Sequence, residues 1–148
     1  MPQLAENRKA RQEYAILETF EAGLVLTGQE VKSVRKGLMQ LAGAFVSFQR
    51  GELWLVGSRI PPFQPKNAPL NYDPARPRKL LLNKEELKAL YGKSKQEGLT
   101  FVPLKVYTSH AFLKLAFGLA RGKRKKDKRE LLKKREAERE MERALKRG

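Results

Sequence analysis

The clearest strand pattern in the chain lies in TFVPLKVYTSHAFLKLAFGLA, residues 100–120. Between positions 113 and 119 every second residue is leucine or phenylalanine, and lysine, alanine and glycine lie between them. Side chains of a β-strand point to opposite faces in turn, so this alternation predicts one buried face and one face open to water or a ligand. With residues 100–107 before it, the strand predicts a β-hairpin that turns at residues 109–111.

More strands are predicted on the N-terminal side of this hairpin. Residues 13–26, EYAILETFEAGLVL, are rich in β-branched and aromatic residues and predict a strand that bends at Gly23. Residues 44–60 predict a second hairpin, which turns at Arg50 and Gly51. Short antiparallel strands expose their edges unless the sheet closes. They therefore favour a small closed or nearly closed β-barrel, of which the oligonucleotide-binding barrel is one kind.

Two short helices are predicted from their capping residues. Thr27 with Glu30 three positions later forms a capping-box pattern at the start of the first helix. Asn83 with Glu86 repeats this pattern before a second helix, which is predicted to end near Gly92.

Two segments lack regular patterns. Residues 1–12 are polar and basic and are predicted to form a flexible arm. Residues 61–78 contain prolines at 61, 62, 65, 69, 74 and 77, and a loop of this length in a compact domain is usually functional or mobile. The predicted organisation is therefore the arm, a folded domain over residues 13–120 and a tail over residues 121–148.

The charge of the chain points to a polyanionic partner. The 148 residues include 32 Lys and Arg against 16 Asp and Glu, which gives a formal charge of +16. Residues 1–120 hold 18 basic and 10 acidic residues and residues 121–148 hold 14 and 6, so the tail carries half of the net charge. Seven of the nine residues of RGKRKKDKR (121–129) are basic. Such density predicts binding to nucleic acid or to an anionic membrane surface.

The sequence offers little for catalysis or metal binding. It has no cysteine, and its one histidine, His110, falls in a predicted turn. It also lacks a glycine-rich phosphate loop and a nucleophile elbow. A binding module is therefore favoured over an enzyme. Without a secretory signal or an apolar run of about 20 residues, the protein is predicted to be soluble and cytoplasmic.

Aromatic side chains can stack on bases, while Lys and Arg neutralise phosphates. The candidates for stacking are Tyr14, Phe63, Tyr72 and Tyr107, and core packing is the alternative for each of them. The cations that lie among them along the chain are Arg11, Arg76, Arg78, Lys79 and Lys105.

The tail has helical spacing after its basic run. Glu130 with Lys134 and Glu142 with Lys146 are i, i+4 pairs worth about 0.2–0.5 kcal/mol each. The apolar stripe on this segment is narrow and consists of Ala137, Met141, Ala144 and Leu145. The tail is therefore predicted to be disordered when free and helical in an anionic groove. A coiled coil is disfavoured because only about two weak heptads are present.

Six motifs in collinear order resemble the SsrA-binding protein family, also called small protein B, of bacterial trans-translation. They are NRKAR (7–11), FEAG (20–23), TGQEVKSVRKG (27–37), NYDPARPRKLLLN (71–83), EGLTFVPLKVY (97–107) and GLARGKRKKDKRE (118–130). Each motif is weak evidence by itself, and the six together with natural spacing are specific.

The resemblance implies a mainly β fold: a small six-stranded antiparallel barrel of the oligonucleotide-binding kind, with about three short flanking helices and a C-terminal tail. Members bind the tRNA-like domain of transfer-messenger RNA and deliver it, with elongation factor Tu and GTP, to stalled ribosomes. The tail is expected to be helical in the empty mRNA channel beside the small-subunit decoding centre. A monomer without catalysis, cofactor, metal or membrane partner is implied. A generic ribosomal or single-strand RNA-binding protein is the alternative.

The resemblance also implies site residues. On the barrel, the motif positions that imply RNA binding are Asn7, Tyr14, Glu21, Arg35, Leu81 and Asn83. To these we add three cations, Arg11, Lys32 and Lys114, the last as the only cation on the open face of the final strand. Ribosomal RNA contacts are implied in the tail for Lys123, Arg124, Lys126, Asp127, Lys128 and Arg129. Structural roles remain alternatives: a helix cap for Asn83, core packing for Leu81 and a solubilising strand edge for Glu21.

Overall fold

The structure, a computed structural model, describes residues 3–122 and 128–147. This part of the chain contains seven β-strands and four α-helices. In chain order they are β1 (Gln3–Glu6), α1 (Arg8–Glu13), β2 (Tyr14–Leu24), α2 (Gly28–Arg35), β3 (Phe45–Gln49), β4 (Glu52–Val56), β5 (Arg78–Leu81), α3 (Lys84–Ser94), β6 (Leu99–Ser109), β7 (Phe112–Gly122) and α4 (Lys128–Arg147). A short 3₁₀ turn, Pro65–Asn67, lies in the proline-rich loop.

Six of the strands form a closed antiparallel ring. Around the ring, β6, β3, β4, β5, β2 and β7 are each hydrogen-bonded to the next, and β7 pairs again with β6. The remaining strand, β1, pairs with β6 outside this ring. The predicted fold class, a small six-stranded antiparallel barrel with flanking helices, is therefore confirmed. Closure gives these short strands a partner on each side.

The interior of the ring is a core of aliphatic and aromatic side chains. Phe101 packs edge to face against Phe20, Phe48 and Phe117, with ring centroids 5.8–6.2 Å apart. The alternation predicted for β7 is confirmed on its inner side, where the leucine and phenylalanine residues are buried. On the outer side of β7 only the first half is open, because Ala116 is also buried.

The prediction of a flexible arm is wrong for the described residues 3–12, because they form β1 and most of α1. β1 is held by its pairing with β6, and Leu4 and Ala5 pack against the core. α1 packs on the outer side of the ring, where Ala10 is buried in a small cluster with Val102, Leu104 and Ala120. The segment was missed because its packing depends on isolated small apolar residues among cations rather than on a periodic stripe.

Both hairpin turns lie where the sequence predicts them. Arg50 and Gly51 have φ angles of 52° and 83°, and His110 and Ala111 have φ angles of 49° and 70°. Two successive residues with positive φ characterise a type I′ turn, whose twist matches that of the flanking strands.

Both capping boxes are confirmed. The Thr27 hydroxyl accepts a hydrogen bond from the Glu30 N–H at 3.2 Å, and the Glu30 carboxylate accepts one from the Thr27 N–H at 3.0 Å. Asn83 and Glu86 make the same reciprocal pair at the start of α3. α3 continues past the predicted end at Gly92 to Ser94.

The tail helix α4 lies against α3 and the β3–β4 hairpin. Met141 is 1% exposed, and the Tyr91 hydroxyl donates a hydrogen bond to the Glu138 carbonyl at 2.5 Å. Nearby, Lys95 Nζ lies 2.6 Å from Glu142 Oε1. We call these contacts the α4 dock. The sequence predicts that the tail becomes helical in an anionic groove. In the structure the helix lies on the barrel instead. That the free tail is disordered stays a prediction.

Candidate nucleic-acid interface

A row of residues crosses four strands on the outer surface of the ring. Lys114 of β7 lies opposite Tyr107 of β6 and opposite Gly23 of β2. Gly23 in turn lies opposite Leu81 of β5, which is 56% exposed. Directly opposite residues of antiparallel strands share a face, so the row is continuous. The Leu81 side chain lies over Gly23, where an added Cβ atom would be only 3.3 Å from Leu81 Cβ.

A second row lies two residues further along the same strands. Ala116 of β7 lies opposite Lys105 of β6 and opposite Glu21 of β2. Residues two apart in a strand point to the same face, so Glu21 and Lys105 share a surface with Lys114. We call Glu21, Leu81, Lys105, Tyr107 and Lys114 together the sheet patch. The structure therefore brings together three predicted RNA contacts, Glu21, Leu81 and Lys114.

Helix α2 adds two cations beside the sheet patch. Arg35 Nη2 donates to the carbonyl oxygen of Ala111 at 3.3 Å, which places α2 next to the β6–β7 turn. Phe112, the residue after that turn, is 72% exposed. Lys32 lies one turn earlier on the helix, with Nζ 6.0 Å from the ring centroid of Phe63. Residues three apart on a helix lie on one side, so Lys32 and Arg35 form a basic strip.

Two predicted RNA contacts have structural hydrogen bonds. Asn7 is buried and its Nδ2 donates to the Pro103 carbonyl at 3.0 Å. Asn83 is exposed, and its Oδ1 accepts from the Glu86 N–H at 2.8 Å, as the capping alternative predicted. The structural alternative for Leu81 was packing in the core. Leu81 is exposed, so this alternative is wrong.

Two more predicted contacts, Arg11 and Tyr14, lie at the far end of β2. Tyr14 opens this strand and lies opposite Gly122, nine residues from Gly23. At about 3.4 Å per residue, that is about 30 Å along the strand. Tyr14 lines a groove of about 720 Å³ between α1, β3 and α4. The structure therefore does not bring Tyr14 or Arg11 to the sheet patch.

An internal ion-pair network uses three side chains that were considered for RNA binding. Arg76 and Arg78 both donate to the buried carboxylate of Glu30, and the Tyr72 hydroxyl donates to the Ile60 carbonyl at 2.7 Å. Burial alone would raise the pKa of Glu30. Hydrogen bonds from the Thr27 backbone and from the two guanidinium groups reverse this and lower the pKa below its usual value. Arg78 is fully buried, so the prediction that Arg78 contacts RNA is wrong.

No pattern in the sequence indicates that Tyr107 is buried with an unpaired hydroxyl. Its side chain is 8% exposed, and its hydroxyl has no hydrogen-bond partner among the side chains and backbone described. Burial, together with the neighbouring Glu21 carboxylate, raises the pKa of Tyr107 to about 12. Lys105 Nζ lies 5.7 Å from its ring centroid. Tyr107 was predicted as a stacking residue with core packing as the alternative, and its burial agrees with the alternative.

The remaining predictions concern the tail and metal binding. Lys123, Arg124, Lys126 and Asp127 lie outside the described residues; Lys128 and Arg129 open α4, but their side chains are not described. Within residues 3–122 and 128–147, no cluster of three or more His, Asp or Glu is arranged to hold a metal ion. In the same ranges, no helix is long and apolar enough to span a membrane.

Known proteins resemble this chain over almost its whole length. The SsrA-binding protein of Thermosynechococcus vestitus is 52% identical over 143 residues, which are 97% of this chain and 94% of the relative. That of Latilactobacillus sakei is 51% identical over 142 residues, 96% of this chain and 90% of the relative. Both proteins share the name that the sequence motifs suggest.

A solved structure resembles the fold as well. Its description is "tmRNA-SmpB: a journey to the center of the bacterial ribosome", and one of its chains is 48% identical to this chain. The two superpose with a TM-score of 0.68 over 98% of this chain and 97% of the other. The sequence model of the family described as SmpB protein matches residues 4–147. The chain therefore belongs to the SmpB protein family.

Proposed function

We propose that this chain binds the tRNA-like domain of transfer-messenger RNA and delivers it to stalled ribosomes for trans-translation. The observation that carries this proposal is the match to SsrA-binding proteins at about half identity over nearly the whole chain. The solved relative described with tmRNA supports the same function, because it covers both the barrel and the tail.

On the barrel, the sheet patch and the basic strip of α2 form the proposed RNA surface. Lys105, Lys114 and Arg35 supply cations that pair with phosphates, and this contact is independent of sequence. Glu21 is acidic and cannot pair with a phosphate, so its carboxylate accepts from a base amino group or a 2′-hydroxyl. The exposed Leu81 side chain packs against a sugar or a base. This mixture favours a structured RNA over a simple polyanion.

In the tail, the basic residues 121–129 and helix α4 have a separate proposed role. The tail leaves the barrel and lies in the vacant mRNA channel beside the decoding centre. The ion pair of the α4 dock between Lys95 and Glu142 is solvent-exposed and opposes this release little. The main cost of release is the exposure of Met141 and the loss of the Tyr91 hydrogen bond. The basic residues then neutralise ribosomal RNA phosphates.

The rest of the proposal concerns partners and location. The protein acts without chemistry of its own, as a cytoplasmic monomer that joins elongation factor Tu and GTP on the tRNA-like domain. Its support is the family membership.

A binding experiment tests the proposal. The dissociation constant is measured at moderate salt for the tRNA-like domain and for an unstructured RNA of equal length. We expect preference for the tRNA-like domain and loss of affinity in Lys114→Ala. Lys88→Ala, an exposed lysine on α3, is the matched control and should change little. Equal affinity for both RNAs would instead support a generic RNA-binding protein.

A truncation separates the two parts of the molecule. The chain ending at residue 120 should keep most of its affinity for the tRNA-like domain and lose rescue of stalled ribosomes. Loss of RNA affinity on truncation would show that the tail, rather than the sheet patch, binds this RNA.

A further inference from the structure

A buried hydroxyl group lies unpaired in the middle of the sheet patch. Tyr107 Oη is inaccessible to solvent and has no hydrogen-bond partner in the part of the chain whose side chains are described. Buried polar side-chain atoms in folded proteins nearly always have a partner, and each exception calls for an explanation. An unpaired donor beside a proposed ligand surface is explained if binding completes its hydrogen bond.

The candidate acceptor is the carboxylate of Glu21, which interacts with the phenol. Glu21 and Tyr107 flank β7 from opposite sides, on adjacent rows of one face. The residue between them is the small Ala116, so the tyrosine ring can extend across it. After burial, an incipient hydrogen bond to the Glu21 carboxylate and its negative charge raise the pKa of the phenol. The two groups do not reach full hydrogen-bond geometry in the free protein. The phenol keeps its proton at neutral pH and remains a donor.

Glu21 itself needs an explanation, because it is an exposed acid on a face that also carries Lys105 and Lys114. A carboxylate repels phosphates and helps RNA recognition only if it accepts hydrogen bonds from a base or a ribose. Such recognition needs the two oxygens to be held in a fixed orientation by a supporting group. A freely rotating exposed glutamate does not meet this requirement by itself.

We propose that Tyr107 is the positioning residue for Glu21. When RNA binds, the Tyr107 hydroxyl donates to one carboxylate oxygen of Glu21, and the other oxygen accepts from a donor group of the RNA. Tyr107 lies below the surface and does not contact the RNA. The inference rests on the proposed function, since it assigns Glu21 to the RNA surface.

A double-mutant cycle tests the proposal. Dissociation constants for the tRNA-like domain are measured for wild type, Tyr107→Phe, Glu21→Ala and the double variant. Because a hydrogen bond to a charged group is involved, Tyr107→Phe should weaken binding about tenfold. The double variant should bind no more weakly than Glu21→Ala, since the hydroxyl acts only through the carboxylate. Affinity for unstructured RNA should not change in any variant.

Two controls separate positioning from folding. Tyr107→Phe removes only an unpaired hydroxyl, so its melting temperature should equal or exceed that of wild type. Tyr91→Phe removes a hydroxyl that donates to Glu138 in α4, and it should leave RNA affinity unchanged.

Other outcomes would overturn the inference in distinguishable ways. If wild type prefers the tRNA-like domain but Tyr107→Phe binds it equally well, the positioning role is wrong and the proposed function stands. The same conclusion follows if the two substitutions act additively. If wild type shows no preference for the tRNA-like domain, the proposed function fails and the positioning role fails with it.

Discussion

Arg78 and Glu30 form an ion pair inside the protein, with Arg78 Nη2 2.7 Å from Glu30 Oε2 and side chains that are 0% and 1% exposed. Glu30 belongs to α2 and Arg78 begins β5. The pair thus fixes the helix that carries the basic strip to the ring that carries the sheet patch. Arg76 and Tyr72 join the same carboxylate from the proline-rich loop, so that loop is anchored at its C-terminal end.

Removing Arg78 should be strongly destabilising. Arg78→Met leaves the Glu30 carboxylate buried with fewer partners, and loss of one member of a buried pair costs about 3–5 kcal/mol in the free energy of unfolding. The neighbouring Lys79→Met is the matched control, because its pair with Glu52 is 3.0 Å long but solvent-exposed and should contribute at most about 1 kcal/mol. Urea denaturation measures both. Equal losses would contradict the assigned role of the buried pair.

Acid should weaken this network in a defined direction. Although burial opposes it, the hydrogen bonds of Glu30 hold its pKa in the folded protein below the ordinary value of a glutamate. Such a group adds stability above the unfolded-state pKa, and this stability disappears as the pH falls through the folded-state pKa. The difference in unfolding free energy between wild type and Glu30→Gln should therefore be largest above about pH 5 and shrink on acidification. A constant difference down to pH 2 would contradict the lowered pKa.

Local patterns predicted much of this fold, and long-range pairs were the part that they could not predict. The buried face of β7, the two capping boxes and the turn at Arg50 all depend on neighbours within a few residues, and all are confirmed. Glu30 was predicted as a capping residue, which it is. Its second role depends on Arg78, 48 residues away, and no local pattern specifies such a partner.

The candidate site shows the same division. Sequence motifs predicted Glu21 and Leu81, and the alternation of β7 predicted Lys114; the ring brings all three onto one face. These patterns did not indicate that Tyr107 is buried, because β1 pairs with β6 at Tyr107, and the residues of β1 were predicted to be part of a flexible arm. The pairing of β1 with β6 joins segments about 100 residues apart, and no local pattern specifies such a partner.

Leu81 and Asn83 should separate RNA binding from stability. Leu81→Ala removes an exposed side chain, so the free energy of unfolding should change by less than about 0.5 kcal/mol while affinity for the tRNA-like domain falls. Asn83→Ala removes the cap of α3 and should cost about 1 kcal/mol of stability. Its RNA affinity should stay near wild type. If Asn83→Ala instead binds RNA weakly and remains fully stable, the amide contacts RNA in addition to capping the helix.

Helix α4 should depend on the α4 dock for its structure. The isolated peptide of residues 121–148 has only weak i, i+4 pairs and a narrow apolar stripe, so it should show little helical circular dichroism in buffer. In the full chain, Met141→Asp places a charge in a buried position and should raise the amide hydrogen exchange rate of α4 while the exchange of β6 and β7 is unchanged. Strong helicity of the free peptide would contradict this dependence.

The ion pair at the α4 dock offers a reversible version of the same test. Lys95→Glu places two carboxylates where Nζ and Oε1 are now 2.6 Å apart, so exchange in α4 should accelerate. Adding Glu142→Lys restores opposite charges with exchanged positions and should slow exchange again. Each pair alone contributes little, so the expected changes are small, about two- to fivefold in exchange rate. If Glu142→Lys fails to compensate Lys95→Glu, the two residues do not interact in solution and the dock is held by Met141 and Tyr91 alone.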